Sequence, residues 1–351
     1  MERLVRSCYR QGGYVFAKKA GGSAHGPGSD RVARLASNEN PEPPSPAAVA
    51  AAQAAVLTAN RYPDERVDVL VSALRAYYGD YPFVTGVGMD GVIETLIRTL
   101  VDPGETVAIS VPTFSFYGLA AQAQGARVVT VPRRPDFSVD TGALVRAGKA
   151  AKIVVLCTPN NPTGNATSTD DVQRVLDEIK GVLFLDNAYV EFSGIDYLPL
   201  AKKYDNLVIG QTFSKVHSLA GLRIGYAFVP AWLREFYLRA GTPFTVNSVS
   251  AAAAAAALSD KEHAARYIAQ VTTWRKRFSA ALKFPVLPSD ANFVMVDVAP
   301  HTGDDIVEKL ASRGVLVRSC RSFTGLADHY IRVSVGDDWE NELFIRELNA
   351  L

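Results

Sequence analysis

Lys152-Ile153-Val154-Val155-Leu156-Cys157-Thr158-Pro159-Asn160-Asn161-Pro162-Thr163-Gly164 opens as an unbroken apolar, β-branched run and then breaks at Pro, Asn and Gly. A run of that kind suits a strand buried on both faces, and the breakers allow neither strand nor helix to continue. Similar runs stand on either side, at 106–111, 127–131, 182–186 and 207–212. From about Ala47 to Val229 they alternate with amphipathic helical stretches. Strand and helix in alternation predict an α/β fold, with helices covering both faces of a mainly parallel sheet. Ligands in such folds sit at the carboxyl ends of the strands, so the chemistry is sought in the loops that follow them.

After residues 241–247 a long helical stretch runs through the alanine tract 251–258 and on to 282, followed by shorter strands at 292–298, 315–318 and 330–335. This predicts a smaller α+β domain. The expected division is a large domain over 41–240, a small one over 241–351, and an N-terminal segment, 1–40, crossing back to the small domain or its cleft. The alanine tract reads as a closely packed helix with Ser248 and Ser250 as possible caps.

Bulk properties narrow the classes of function. The 351 residues are 48% hydrophobic and 21% charged, which is ordinary globular composition. With 37 basic and 36 acidic side chains the net charge is +1, so no global field draws in nucleic acid or an anionic membrane, and any anion site is local. No stretch stays apolar for the length of a signal peptide or a membrane span, and a soluble cytoplasmic protein is expected. Three cysteines, Cys8, Cys157 and Cys320, show no zinc-type or redox pairing and read as thiols in a reducing compartment. Five histidines have no ligand spacing, so no metal is expected.

The most informative string is Thr212-Phe213-Ser214-Lys215 with Leu219-Ala220-Gly221-Leu222-Arg223-Ile224-Gly225-Tyr226. A lysine after a strand is commonly a solvated loop tip. Here it is flanked by a hydroxyl, and an arginine follows eight residues later among glycines that admit close backbone approach. An amine that can form a Schiff base, with Ser214 and Arg223 to hold an anion, suits an aldehyde bearing a phosphate.

In this string the chain resembles the fold-type I pyridoxal-phosphate aminotransferases, and the likeness extends over nearly its full length. The resemblance implies a three-layer αβα large domain and a smaller α+β domain. It also implies that Lys215 carries pyridoxal 5′-phosphate, that Asp186 of Leu185-Asp186-Asn187-Ala188-Tyr189 pairs with the ring nitrogen, and that Tyr189 reaches the 3′-oxygen. Asn161 donates to the same oxygen in the family. Met89 and Asp90, in a glycine-rich turn before a helix, supply phosphate contacts, together with Thr212, Ser214 and Arg223. Phe114 takes the place of the ring that stacks on the cofactor. Asn187 departs from the usual glutamate, which implies altered hydrogen bonding around the site and retained activity.

Strand alternation in Tyr330-Ile331-Arg332-Val333-Ser334 puts residues 330, 332 and 334 on one face. In the family an arginine in this setting clamps the substrate anion, a role carried to Arg332, with Arg321 and Arg318 close enough to assist. Within the family, residues 35–41 and 60–64 are most similar to the histidinol-phosphate aminotransferases. This implies a phosphorylated amine and 2-oxoglutarate as substrates, Tyr14 beside the substrate pocket, and a homodimer in which Tyr62 reaches the neighbouring subunit's cofactor phosphate. Residues 317–323 keep a threonine-phosphate decarboxylase as a rival, an aromatic or broad-specificity aminotransferase is another, and a non-catalytic regulator lacks the nucleic-acid module expected of one.

Overall fold

The structure, a computed structural model, describes residues 4–10, 13–16 and 31–351. Its twelve strands are β1 (Ala33–Arg34), β2 (Phe83–Val87), β3 (Thr106–Val111), β4 (Arg127–Pro132), β5 (Ile153–Cys157), β6 (Val182–Asp186), β7 (Leu207–Thr212), β8 (Ile224–Phe228), β9 (Phe293–Asp297), β10 (Val315–Leu316), β11 (Arg318–Ser319) and β12 (Tyr330–Ser334). Seven form one sheet in the order β2-β8-β7-β6-β5-β3-β4. All pairings in it are parallel except those of β8, which runs against both neighbours. The expected α/β class and parallel sheet are therefore present.

Burial explains the lack of alternation in the sequence. Val154, Leu156, Leu183, Leu185 and Ile209 join one core on one face, while Ile153, Val155, Val182, Phe184 and Val208 join another on the opposite face. Both faces of each central strand leave water, so apolar residues fill successive positions along most of its length.

β2 and β8 were not expected as strands, because Gly86 and Gly225 interrupt their apolar runs. The glycines are there for a tertiary reason: a Cβ on Gly225 would lie 2.6 Å from the backbone carbon of Gly88, and one on Gly86 would lie 2.7 Å from the Val92 nitrogen. The helix Gly88–Leu100 thus packs directly onto both strands.

β11, β12 and β9 form a small antiparallel sheet, and β1 pairs in parallel with β10. Helices Lys261–Ala281, Gly303–Ser312 and Asp338–Asn349 cover it around a core that includes Trp274, Phe278, Phe293, Ile331 and Phe344. The alanine tract forms a separate helix, Ser248–Ala257, capped by the Asn247 side chain and not by a serine. This helix lies beyond the expected boundary at residue 240. Ala251, Ala253, Ala254 and Ala257 are buried in the same core as Leu70, Leu74 and the large-sheet residue Ile209.

Candidate active site

A cavity of about 380 Å³ opens where the large sheet meets the small one. Loops after β5, β6 and β7 supply Asn161, Ala188, Tyr189, Ser214 and Lys215, and the carboxyl ends of the strands themselves supply Cys157, Asp186 and Thr212. Met89 and Asp90 enter at the start of the helix Gly88–Leu100, and Arg318 and Arg332 enter from β11 and β12. Tyr14 and Phe114 close one side, their rings edge to face at 5.7 Å.

Lys215 Nζ donates to the Ser37 carbonyl at 3.3 Å and sits 5.5 Å from the Tyr189 ring centre. Burial, then the charges of Arg332 and Arg223, push its pKa down to about 8, against Glu39 and Asp90. The amine is therefore closer to its nucleophilic, unprotonated form than a surface lysine.

Asp186 ends β6 with 3% exposure. Burial pushes its carboxyl up to about 6, while donors from the Tyr117 phenol and the Ala188 N–H act to lower it. Tyr117 Oη donates to one carboxylate oxygen at 2.6 Å and Ala188 N to the other at 3.0 Å. Each oxygen has a donor, so the carboxylate keeps its charge near neutrality although it is out of water. Asn187 turns away and donates to the Thr158 carbonyl at 2.7 Å, tying the β5 and β6 loops together. That hydrogen bond is outside the cavity lining.

Arg223 has a left-handed backbone, φ 50°. Its guanidinium donates to Asp90 Oδ2 at 3.0 Å and to the Ala220 carbonyl at 3.1 Å. Gly88 lies against it, and a Cβ there would come 2.6 Å from Arg223 Nη2. Thr212 Oγ1 donates to Ser214 Oγ at 3.0 Å. A helix N-terminus, one guanidinium and two hydroxyls thus converge on one end of the cavity, a setting for a phosphate group. Asp90 serves here as the partner that holds Arg223.

At the other end Arg332 donates to Asn161 Oδ1 at 2.6 Å and to the Ala36 carbonyl at 2.5 Å, and its guanidinium carbon lies 5.5 Å from the Phe293 ring centre. Arg318 is its direct cross-strand partner. It donates to the Val15 carbonyl at 2.6 Å and to Ser322 Oγ at 3.0 Å.

Arg321 and Tyr62 do not line this cavity. Arg321 is outside the cavity lining, its side chain 72% exposed and paired with Asp304 at 3.0 Å, because it sits in the turn beyond β11. Tyr62 is 84% exposed and stacks on Phe244 at 4.9 Å, away from the cavity of its own chain. Tyr117 was not singled out, and Asn38, although inside the string 35–41, was given no role of its own, since their partners are 69 and 151 residues distant. His217 is buried and kept neutral, its pKa pushed down to about 4 by burial, and it does not line the cavity.

Comparison with known proteins agrees with this geometry. The family described as aminotransferase class I and II matches residues 30–348. The chain is 62% identical over 352 residues to the histidinol-phosphate aminotransferase of Methanoculleus marisnigri, covering 100% of both chains. It is 56% identical over 354 residues to that of Methanosphaerula palustris, again covering 100% of both. The solved histidinol-phosphate aminotransferase of Sinorhizobium meliloti, in complex with pyridoxal-5′-phosphate, superposes with a TM-score of 0.84 at 28% identity and covers 91% of each chain. A lysine, an aspartate and a guanidinium around one cavity, with a family match over nearly the whole chain, place this protein among the class I and II aminotransferases.

Proposed function

We propose that the protein transaminates L-histidinol phosphate with 2-oxoglutarate, forming imidazole-acetol phosphate and L-glutamate. The observation that carries the substrate choice is the pairing of Arg318 with Arg332 across β11 and β12, both lining the cavity of Lys215. Like charges directly opposed are unfavourable, and burial with the Arg332 charge pushes the Arg318 guanidinium below its ordinary pKa. A phosphate dianion between them offsets that repulsion, and bidentate arginines suit it. The γ-carboxylate of 2-oxoglutarate uses the same pair in the second half-reaction.

The remaining residues fit pyridoxal 5′-phosphate, which when bound supplies an aldehyde for the substrate amine and a ring that accepts electrons from the adjacent carbon. Lys215 would hold the aldehyde carbon, and its amine, when not so engaged, would move the substrate Cα proton as general base. Asp186 holds a proton at the ring nitrogen. Arg223, Thr212, Ser214 and the backbone amides of Met89 and Asp90 would hold the cofactor phosphate, Asn161 and Tyr189 would hold the 3′-oxygen, and Phe114 would pack against the ring.

The active unit is a homodimer in which the exposed Tyr62 reaches the cofactor phosphate of the second copy. Cys157 and Cys320 are free and buried, and no helix among the described residues is long and apolar enough to cross a membrane; we place the enzyme in the cytoplasm.

Product analysis tests the reading. Imidazole-acetol phosphate from histidinol phosphate, dependent on 2-oxoglutarate, supports it. Carbon dioxide from L-threonine phosphate transfers the assignment to the decarboxylase, and faster turnover of aromatic amino acids to a broad-specificity enzyme. Arg332→Ala is expected to raise KM for both histidinol phosphate and 2-oxoglutarate by at least about tenfold, the effect of about 1.4 kcal/mol; an unchanged KM for either removes the shared-anion role.

A further inference from the structure

Asn38 follows β1 with a left-handed backbone, φ 54°, a conformation that asparagine adopts more readily than most residues. It is 1% exposed and makes four hydrogen bonds that tie three parts of the chain together. Its backbone N–H donates to Ser334 Oγ at 2.8 Å, and its carbonyl accepts from Asn292 Nδ2 at 3.1 Å. Ser334 Oγ lies 3.1 Å from Asn38 Oδ1, and Asn38 Nδ2 lies 3.0 Å from the Tyr189 hydroxyl.

These contacts leave one consistent assignment of protons. A backbone N–H can only donate, so Ser334 Oγ accepts from it and must place its own proton elsewhere. An amide oxygen can only accept, and Asn38 Oδ1 is the acceptor within reach. The amide nitrogen then faces Tyr189 and donates to the phenol oxygen. Turning the amide over would give the buried Ser334 two donors and leave its proton without an acceptor among the described residues. The phenol oxygen accepts on the Asn38 side, and its own O–H is left for the cavity, which Tyr189 and Lys215 both line.

We infer that Asn38, oriented by Ser334, is a positioning residue that directs the Tyr189 phenol proton into the cavity beside Lys215. Two side chains on separate elements thus make a tyrosine a hydrogen-bond donor toward whatever oxygen binds there. Burial reinforces this by raising the phenol above its ordinary value, so the proton stays in place. The inference rests on the aminotransferase reading for the identity of the acceptor, the cofactor's 3′-oxygen.

Asn38→Asp tests it. Aspartate keeps the shape and also tolerates a left-handed backbone, but its carboxylate only accepts. Tyr189 must then donate to residue 38 and withdraw its proton from the cavity. The measurement is the dissociation constant of pyridoxal 5′-phosphate from apoprotein, by quenching of tryptophan fluorescence, with melting temperature as the check on folding. At pH 8, Asn38→Asp is expected to weaken binding about tenfold, a loss of about 1.4 kcal/mol. The ratio of variant to wild type should fall toward one as the introduced carboxyl protonates at lower pH. In a Tyr189→Phe background the same change should have no further effect, and Ser334→Thr, which keeps the hydroxyl, should bind better than Ser334→Ala.

An equal loss with and without the Tyr189 hydroxyl, or Ser334→Thr no better than Ser334→Ala, overturns the inference and leaves Asn38 a structural turn residue. Should Lys215→Ala bind the cofactor as tightly as wild type, the aminotransferase reading fails instead, and no binding by wild-type protein at all overturns both.

Discussion

Asp186 shows at the residue scale what the site costs the fold. Its carboxyl is pushed from 3.8 up to about 6, so in the apoprotein the charged form is the unfavourable one. Below pH 3.8 folded and unfolded chains are both protonated and no penalty exists; it grows between 3.8 and 6 and is complete above. Asp186→Asn removes the charge and keeps the shape. It is expected to stabilise the apoprotein by about 1–3 kcal/mol at pH 7, a gain that shrinks as pH falls through 6 and is gone near pH 4. Thermal unfolding across pH checks this, and a uniform gain at all pH values would mean that the charge is not its source. Transamination by the same variant should fall at least about a hundredfold. Lys215, Asp186 and Arg223 were legible in the sequence because each sits in a short string whose chemistry is local. The roles of Tyr117 and Asn38 were not, because a hydrogen bond across 69 or 151 residues leaves no periodic trace.

The elements were legible wherever pattern and burial agree. β5 is apolar throughout, and β6 and β7 open on apolar runs, because both their faces are covered; Thr106–Val111, Val182–Asp186 and Leu207–Thr212 coincide with the expected strands. β2 and β8 were missed because glycine weakens a strand signal, yet there it admits the helix Gly88–Leu100. The helix Ser248–Ala257 makes a complementary case: alanine lets it lie close on Pro46–Val56, with Ala253 fully buried. Ala253→Leu should therefore destabilise the protein by about 1–3 kcal/mol through overpacking, seen as a lowered unfolding midpoint. A neutral result would show that the two helices have room to separate.

For the whole molecule the test concerns the second copy. Tyr62 is outside the lining of its own cavity, so in the proposed homodimer a site shared between copies would make two inactive variants complementary. Mixing Tyr62→Ala with Lys215→Ala should restore roughly a quarter of wild-type activity, since half of the dimers are hybrids and each hybrid holds one intact site. No recovery, with hybrid dimers shown to form, removes the shared-site assignment.

By itself the sequence determined the α/β class, the mainly parallel sheet and the local strings that bring Lys215, Asp186 and Arg223 to the cavity, because short-range periodicity reflects burial and local strings reflect local chemistry. Which side chains face one another belonged to the tertiary structure. Arg318 and Arg321 are indistinguishable in Val317-Arg318-Ser319-Cys320-Arg321, and only the register of β11 on β12 sets Arg318 opposite Arg332 in the cavity and leaves Arg321 in solvent. The direction of the Tyr189 proton was likewise decided by Asn38 and Ser334, which meet across 296 residues. Pairing, register and hydrogen-bond polarity depend on contacts between distant segments, and those exist only once the chain has closed on itself.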